Sequence, residues 1–134
     1  LEQEYIDSGD VKFYYINLPV IGANSELAAR AGEYVYENDP ENFWNLHNEL
    51  YGTQMQLTRT GIIDTAVETT NLTEEDIKEG LGSETARNEL EADEKIANGN
   101  GVTATPTVYV NGERVGNDWD SLKSTIDNKL ENGN

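Results

Sequence analysis

The chain has 134 residues, 36% of them hydrophobic, with 26 Asp and Glu against 9 Lys and Arg, for a formal charge of −17. That length suits one domain burying roughly two-thirds of its unfolded surface. The acidity excludes nucleic acid, whose binding needs basic patches that release counterions, and it excludes anionic membrane surfaces.

The sequence has no cysteine, which removes disulfides, thiolate metal sites and cysteine catalysis from these residues. The acidic residues are spread along the chain, as on a solvated surface, and not blocked into a tail. Such an excess repels itself at low salt, so a salt-rich, halophilic setting is one expectation and an ordinary acidic secreted domain the other. No apolar run approaches the roughly 18 residues of a membrane span, and no signal peptide pattern is present. The sequence opens at Leu1 inside a predicted helix, as a processed or cut piece would.

Leu1–Ile6 reads as the end of an amphipathic helix, with Leu1 and Tyr5 one turn apart and Gly9 suited to the left-handed position that follows a helix. Val11–Ile16, rich in Val, Phe, Tyr and Ile, predicts a strand buried on both faces. Pro19 then prevents easy continuation. The next helix runs to about Glu37, capped by Asn24 or Ser25, with Leu27, Ala28, Ala31, Tyr34 and Val35 on one face. Asn38-Asp-Pro breaks it. A helix over about Glu41–Tyr51 turns Phe43, Leu46 and Leu50 inward, with His47 on the same side. Roughly Thr58–Thr69 forms a third helix, weakened by Gly61 and several threonines. Thr73 and Asp76 have capping-box spacing for a short fourth helix. Ser83 caps a fifth to about Ala97, which puts Ala86, Leu90, Asp93 and Ala97 in successive turns.

The segment Gly101–Gly112 reads Gly-Val-Thr-Ala-Thr-Pro-Thr-Val-Tyr-Val-Asn-Gly. Thr107–Val110 is β-branched or aromatic and predicts a buried strand. Asn111-Gly112 is a strong hairpin signal, because both residues tolerate positive φ. The hairpin closes with Glu113–Val115. Pro106 lacks an amide donor and cannot extend the ladder backwards. An X-Pro bond also carries the low-cost cis option, at about 0.5–1 kcal/mol, the plain alternative being a trans proline that caps the strand. Asp118 or Asp120 caps a final helix, roughly Trp119–Leu130, with Trp119, Leu122, Ile126 and Leu130 inward.

The order is therefore helix end, strand, a block of helices, strand, hairpin strand, helix. On the segments Leu1–Pro19, Phe43–Tyr51 (Phe-Trp-Asn-Leu-His-Asn-Glu-Leu-Tyr) and Gly101–Gly112, the chain resembles the DsbA-like thiol–disulfide oxidoreductases. The resemblance covers essentially the whole chain. It implies an α/β thioredoxin-like fold: a single, N-terminally incomplete domain over residues 1–134 with a helical insertion at about 25–97. In that family the proline matching Pro106 is cis and faces the active-site disulfide, and the residue matching Thr105 pairs with substrate backbone. Thr105 and Pro106 are thus the substrate-binding candidates. The resemblance also implies polypeptide substrates, a redox partner protein, an extracytoplasmic setting and no cofactor. The family's Cys-x-x-Cys belongs about a dozen residues before Leu1, so no catalytic residue is assigned here. The family's absent strand lies between Val11–Ile16 and Thr107–Val110. Three outcomes are expected for that gap: direct pairing of the two strands, self-association through the open sheet with a strand from another copy, or an upstream segment.

Other candidates have plain structural readings beside them. His47, the only histidine, sits among aromatic residues as a packing group, with a pH-sensing role as the alternative. Asn71-Leu-Thr73 fits the glycosylation pattern, but Thr73 also serves as a helix cap. Asp7–Asp10 and Asn38–Glu41 offer oxygens to calcium, yet turn chemistry explains both. Trp119, Tyr109, Tyr34 and Tyr36 read as core or rim packing, with Tyr109 held against a helix. No metal site is assigned. Three functions are set against each other: a cell-envelope disulfide oxidoreductase, a redox-inactive module that binds extended peptides at the Thr105–Pro106 edge, and a glutathione-dependent isomerase. The last would need a positively lined site that nine scattered basic residues do not supply.

Overall fold

The computed structural model describes residues 1–52 and 57–133. It divides into two compact units: Leu1–Tyr15 with Val102–Asn134, and Ile16–Gly101.

The second unit is helical. Helix α1 (Ala23–Asn38) is its centre and packs against α2 (Phe43–Gly52), α3 (Arg59–Thr69), α4 (Glu74–Gly82) and α5 (Glu84–Gly99). A helix touched by four others buries small residues on several sides, so the core set is Ala29, Ala31 and Val35, while Leu27 and Ala28 are only half-buried. The expected side-chain cap is also absent. Gly22, at φ 117°, starts the helix earlier, which leaves Asn24 and Ser25 inside the first turn. Leu46, Ile62, Ile77 and Val35 are fully buried and together anchor α1 to α4; each contributes roughly 1.5–3 kcal/mol of burial.

Three starts carry a side-chain cap, those at Thr73 and Ser83 as the sequence predicts. The Thr58 hydroxyl accepts the Gly61 amide at 3.0 Å. Thr73 accepts the Asp76 amide at 3.2 Å while Asp76 accepts the Thr73 amide at 2.8 Å, a complete capping box. The Ser83 hydroxyl accepts the Ala86 amide at 3.3 Å. Gly80 gives α4 its close approach to α1, since a Cβ there would lie 2.3 Å from the base of the Tyr34 ring.

The first unit joins a turn of π-helix, Glu2–Ile6, to a hairpin and helix α6 (Trp119–Asn132). Gly9 takes φ 84° just after that turn, as its position predicts. Strands β1 (Val108–Val110) and β2 (Glu113–Val115) pair antiparallel, with Val108 opposite Val115 and Val110 opposite Glu113. Asn111 and Gly112 make the turn at φ 48° and 82°, both positive as the two-residue loop requires. Helix α6 packs on both strands, its start capped by Asp118 on the Ser121 amide at 2.9 Å.

Several sequence expectations are corrected here. Among the described residues Val11–Ile16 forms no ladder, and Tyr14 is 70% exposed. Alternation and β-propensity favour a strand only where a neighbouring strand supplies hydrogen bonds, and among the described residues β1 pairs only with β2. The direct pairing of Val11–Ile16 with β1 is therefore not what the chain does. Thr107 precedes the strand, not within it, and β1 is half-buried, not buried. Tyr109 is 39% exposed, because α6 covers the Val108 and Val110 side more than the tyrosine side. In α6 only Ile126 is buried; Trp119 at 39% and Leu130 at 45% are exposed, since a two-stranded hairpin is too narrow to cover the helix along its length.

Candidate functional site

The loop Val102–Thr107 leads into β1. Thr103, Ala104, Thr105 and Pro106 are all exposed. The Thr105–Pro106 peptide bond is cis. Thr107 holds the loop by donating its hydroxyl to the Ala104 carbonyl at 2.6 Å. Among the described residues nothing bonds to the backbone of Thr105. The chain thus presents an unladdered, solvent-facing backbone directly ahead of a strand. Such a backbone can accept an extended peptide by strand addition.

A polar network ties the start of this unit to α6. The buried Tyr5 donates its hydroxyl to Asp127 Oδ1 at 2.5 Å. Lys123 Nζ donates to the Tyr5 oxygen at 2.7 Å and to Glu4 Oε2 at 3.1 Å, and lies over the Tyr5 ring at 5.0 Å. The bond from Tyr5, then the Lys123 charge, holds the Asp127 carboxyl below its ordinary range. The bonds to Tyr5 and Glu4 hold the Lys123 ammonium above its own. The network joins the π-helical turn to α6, with the Lys123, Glu4 and Asp127 side chains still partly exposed. Sequence pattern missed it because Tyr5 and Asp127 are far apart along the chain; Tyr5 was legible only as an apolar partner of Leu1.

In the helical unit, His47 packs between Trp44 (5.1 Å) and Tyr51 (4.7 Å), and burial pushes its imidazole below the usual value. Thr73 is occupied in its capping box, and the Asn71 amide donates to Asp39 Oδ2 at 2.7 Å. Asp39 also accepts from Asn42 Nδ2, and Asp10 accepts the Ser8 hydroxyl at 2.7 Å. Asp10 is thus satisfied within its own turn, and Asp39 by its own turn together with the Asn71 amide. Among the described residues no group of three or more His, Cys, Asp or Glu is placed to hold a metal ion.

A second acidic constellation was not anticipated. Asn17, the one buried polar residue of the described core, is 7% exposed. Its amide donates to Asp93 Oδ2 at 2.6 Å and its side-chain Nδ2 to Glu33 Oε1 at 2.7 Å. The position of Asp93 in the apolar row of α5 was the available signal. An acid in a core face needs a partner.

A hairpin packed on a helix after a helical unit, with a proline loop at the strand's start, defines a thioredoxin-fold protein carrying a helical insertion. A family model described as Thioredoxin matches residues 1–128, and the chain belongs to that family, among its DsbA-like members. Disulfide bond formation protein D of Bacillus subtilis is 36% identical over 138 residues, covering 98% of this chain and 62% of that protein. A probable disulfide bond formation protein D of Bacillus anthracis is 36% identical over 137 residues, covering 98% and 63%. The chain therefore spans less than two-thirds of either relative's length. The crystal structure of oxidised BdbD from Bacillus subtilis superposes with a TM-score of 0.90 at 36% identity, covering 97% of this chain and 74% of that one. The compact form of Proteus mirabilis ScsC shares the fold, with a TM-score of 0.80 at 22% identity over 99% of this chain and 72% of that one.

Proposed function

We propose that the chain is the scaffold and substrate-facing part of a thiol–disulfide oxidoreductase outside the cytoplasm, acting on cysteines of extended or unfolded polypeptides. Thr105 and Pro106 are its substrate-binding residues, and its helical insertion spans about residues 25–97, within the compact unit Ile16–Gly101. The observation that carries this reading is the exposed, unladdered Thr105 backbone ahead of β1, in a chain resembling proteins named for disulfide bond formation. An extended substrate adds its backbone at Thr105, so its side chains matter little and selectivity is broad. In the exchange step a thiolate attacks a disulfide sulfur, a mixed disulfide forms and the other sulfur leaves as thiolate. These residues hold no cysteine, so the thiols lie outside them. A redox partner protein resets the pair. No helix among the described residues is long and apolar enough to cross a membrane, and the acidic surface fits a salt-rich setting.

The test is Pro106→Ala in the full-length protein, assayed for oxidation of a dithiol peptide and reduction of insulin. Turnover or substrate release should fall while the cysteines remain titratable. Full activity would leave Pro106 as a strand cap only. Residues 1–134 alone should show neither activity.

The absence of cysteine favours one second reading, a redox-inactive module that binds extended peptides at the same edge. Two cysteines spaced by two residues in the encoded sequence before Leu1 decide for the oxidoreductase.

A further inference from the structure

We propose that Asn111 is a self-modification site, where the Gly112 amide attacks the asparagine side chain and the hairpin turn converts to aspartate and isoaspartate as the protein ages. The sequence holds four Asn-Gly pairs: Asn98-Gly99, Asn100-Gly101, Asn111-Gly112 and Asn132-Gly133. Every residue of the four pairs is exposed, so access to solvent does not choose between them. Hydrogen bonding of the glycine amide, the nucleophile of the reaction, does.

Three of the four nucleophiles are engaged. Gly99 is the last residue of α5, and its amide belongs to the helix ladder. The Gly101 amide donates to the Asn98 carbonyl at 3.1 Å. The Gly133 amide donates to the Lys129 carbonyl. Two of these asparagines also turn back along their helices. Asn100 Nδ2 donates to the Ile96 carbonyl at 2.8 Å, and Asn132 Nδ2 to the Asn128 carbonyl at 2.6 Å. Among the described residues the Gly112 amide donates to no partner. It lies in a two-residue loop between two short strands, and exposed loop tips open at little cost.

The step balances with water as its only co-reactant. Solvent base takes the Gly112 amide proton, and the nitrogen bonds to Asn111 Cγ. The Cγ–Nδ2 bond breaks, and Nδ2 leaves as ammonia with a proton returned to it. A cyclic succinimide remains, which water opens. Attack at Cγ gives aspartate on an unchanged backbone. Attack at the Asn111 carbonyl carbon gives isoaspartate, whose backbone runs through the side chain. Glycine favours ring closure because no Cβ crowds the attacking nitrogen. The two products differ in consequence. Aspartate tolerates the φ of 48° that Asn111 holds, so the turn survives with one more negative charge. Isoaspartate adds a methylene to the backbone of the loop, and loop length fixes hairpin register, here Val110 opposite Glu113.

The experiment incubates the full-length protein at mildly alkaline pH, folded and in guanidinium chloride. Each Asn-Gly peptide is followed by its gain of one mass unit and by isoaspartate methyltransferase labelling. In denaturant the four pairs should convert at similar rates, because their local chemistry is shared. In the folded protein Asn111 should stay within a few-fold of its rate in denaturant. Asn98 and Asn100 should fall about tenfold or more below theirs, since a bonded amide reacts only while open. Asn132, in the last turn of α6, should fall between, because helix ends fray. Exchange at the Val110 and Glu113 amides should quicken in isoaspartate-bearing protein. It should keep the parent rate in Asn111→Asp, which carries the aspartate product alone. Asn98 or Asn100 converting ahead of Asn111 in the folded protein, or Asn111 slowed by folding as much as they are, would overturn the proposal. The conversion uses neither Thr105 nor Pro106, so it stands or falls apart from the oxidoreductase reading.

Discussion

Replacing Gly80 by alanine tests the packing of α4 on α1 directly. In an exposed helix the change is favourable by about 1 kcal/mol, because alanine restricts the unfolded chain and prefers the helix. Here the added Cβ would lie 2.3, 2.5 and 2.7 Å from Cγ, Cδ1 and Cδ2 of Tyr34, against 3.4–4 Å for ordinary contact. Those atoms form the base of the ring, which cannot yield like the end of a flexible side chain. Either α4 moves off α1 or Tyr34 leaves its rotamer, and overpacking of this kind costs about 1–3 kcal/mol. Gly80→Ala should therefore destabilise the protein by up to about 2 kcal/mol once the helix preference is subtracted. In a Tyr34→Ala background the same change should stabilise by about 1 kcal/mol, since the obstruction is gone. Urea unfolding of the four proteins of the cycle, followed by far-ultraviolet circular dichroism, gives the coupling. Gly80→Ala stabilising the parent by its full helix preference would refute the close approach of α4 to α1.

Tyr5→Phe removes the hydroxyl that bonds Asp127 and receives Lys123. It should lower the melting temperature and move the Asp127 carboxyl ¹³C midpoint up towards its ordinary value. Because that carboxyl is held low in the folded protein, its stabilising effect is present above about pH 4 and is lost as the pH falls through its own lowered value. Acid unfolding of the variant should accordingly show less of this contribution. Thr73→Ala breaks the capping box at α4 and should cost about 1 kcal/mol in urea unfolding. The Asp76 carboxyl, now held low first by the Thr73 hydroxyl, should rise in the same variant. With a formal charge of −17, the melting temperature should climb with NaCl well beyond the range where the Debye length is about 10 Å. A flat or falling trend to molar salt would remove the halophilic reading.

The sequence by itself determined whatever rests on local chemistry. Thr58, Thr73, Ser83 and Asp118 cap because a short oxygen-bearing side chain reaches the amides of its own first turn. Asn111-Gly112 turns because those residues adopt positive φ with little or no steric cost. The apolar row of α5, with Ala86, Leu90 and Ala97 buried, is legible because burial follows helical period. The proline loop of Gly101–Gly112 was also written in order, so the candidate edge at Thr105–Pro106 could be located without a structure. Tertiary structure decided whatever depends on a partner distant in sequence. Val11–Ile16 has strand composition but no ladder, because a strand's hydrogen bonds come from a neighbour it does not choose. Trp119 and Leu130 lie on the periodic face of α6 yet stay exposed, because the hairpin is narrower than the helix is long. Asn17, Glu33 and Asp93 are far apart in sequence, and the fold of α1 and α5 brings both carboxyls to Asn17. Only the place of Asp93 in the apolar row of α5 hinted at a buried acid, because its partners come from stretches of chain distant in sequence.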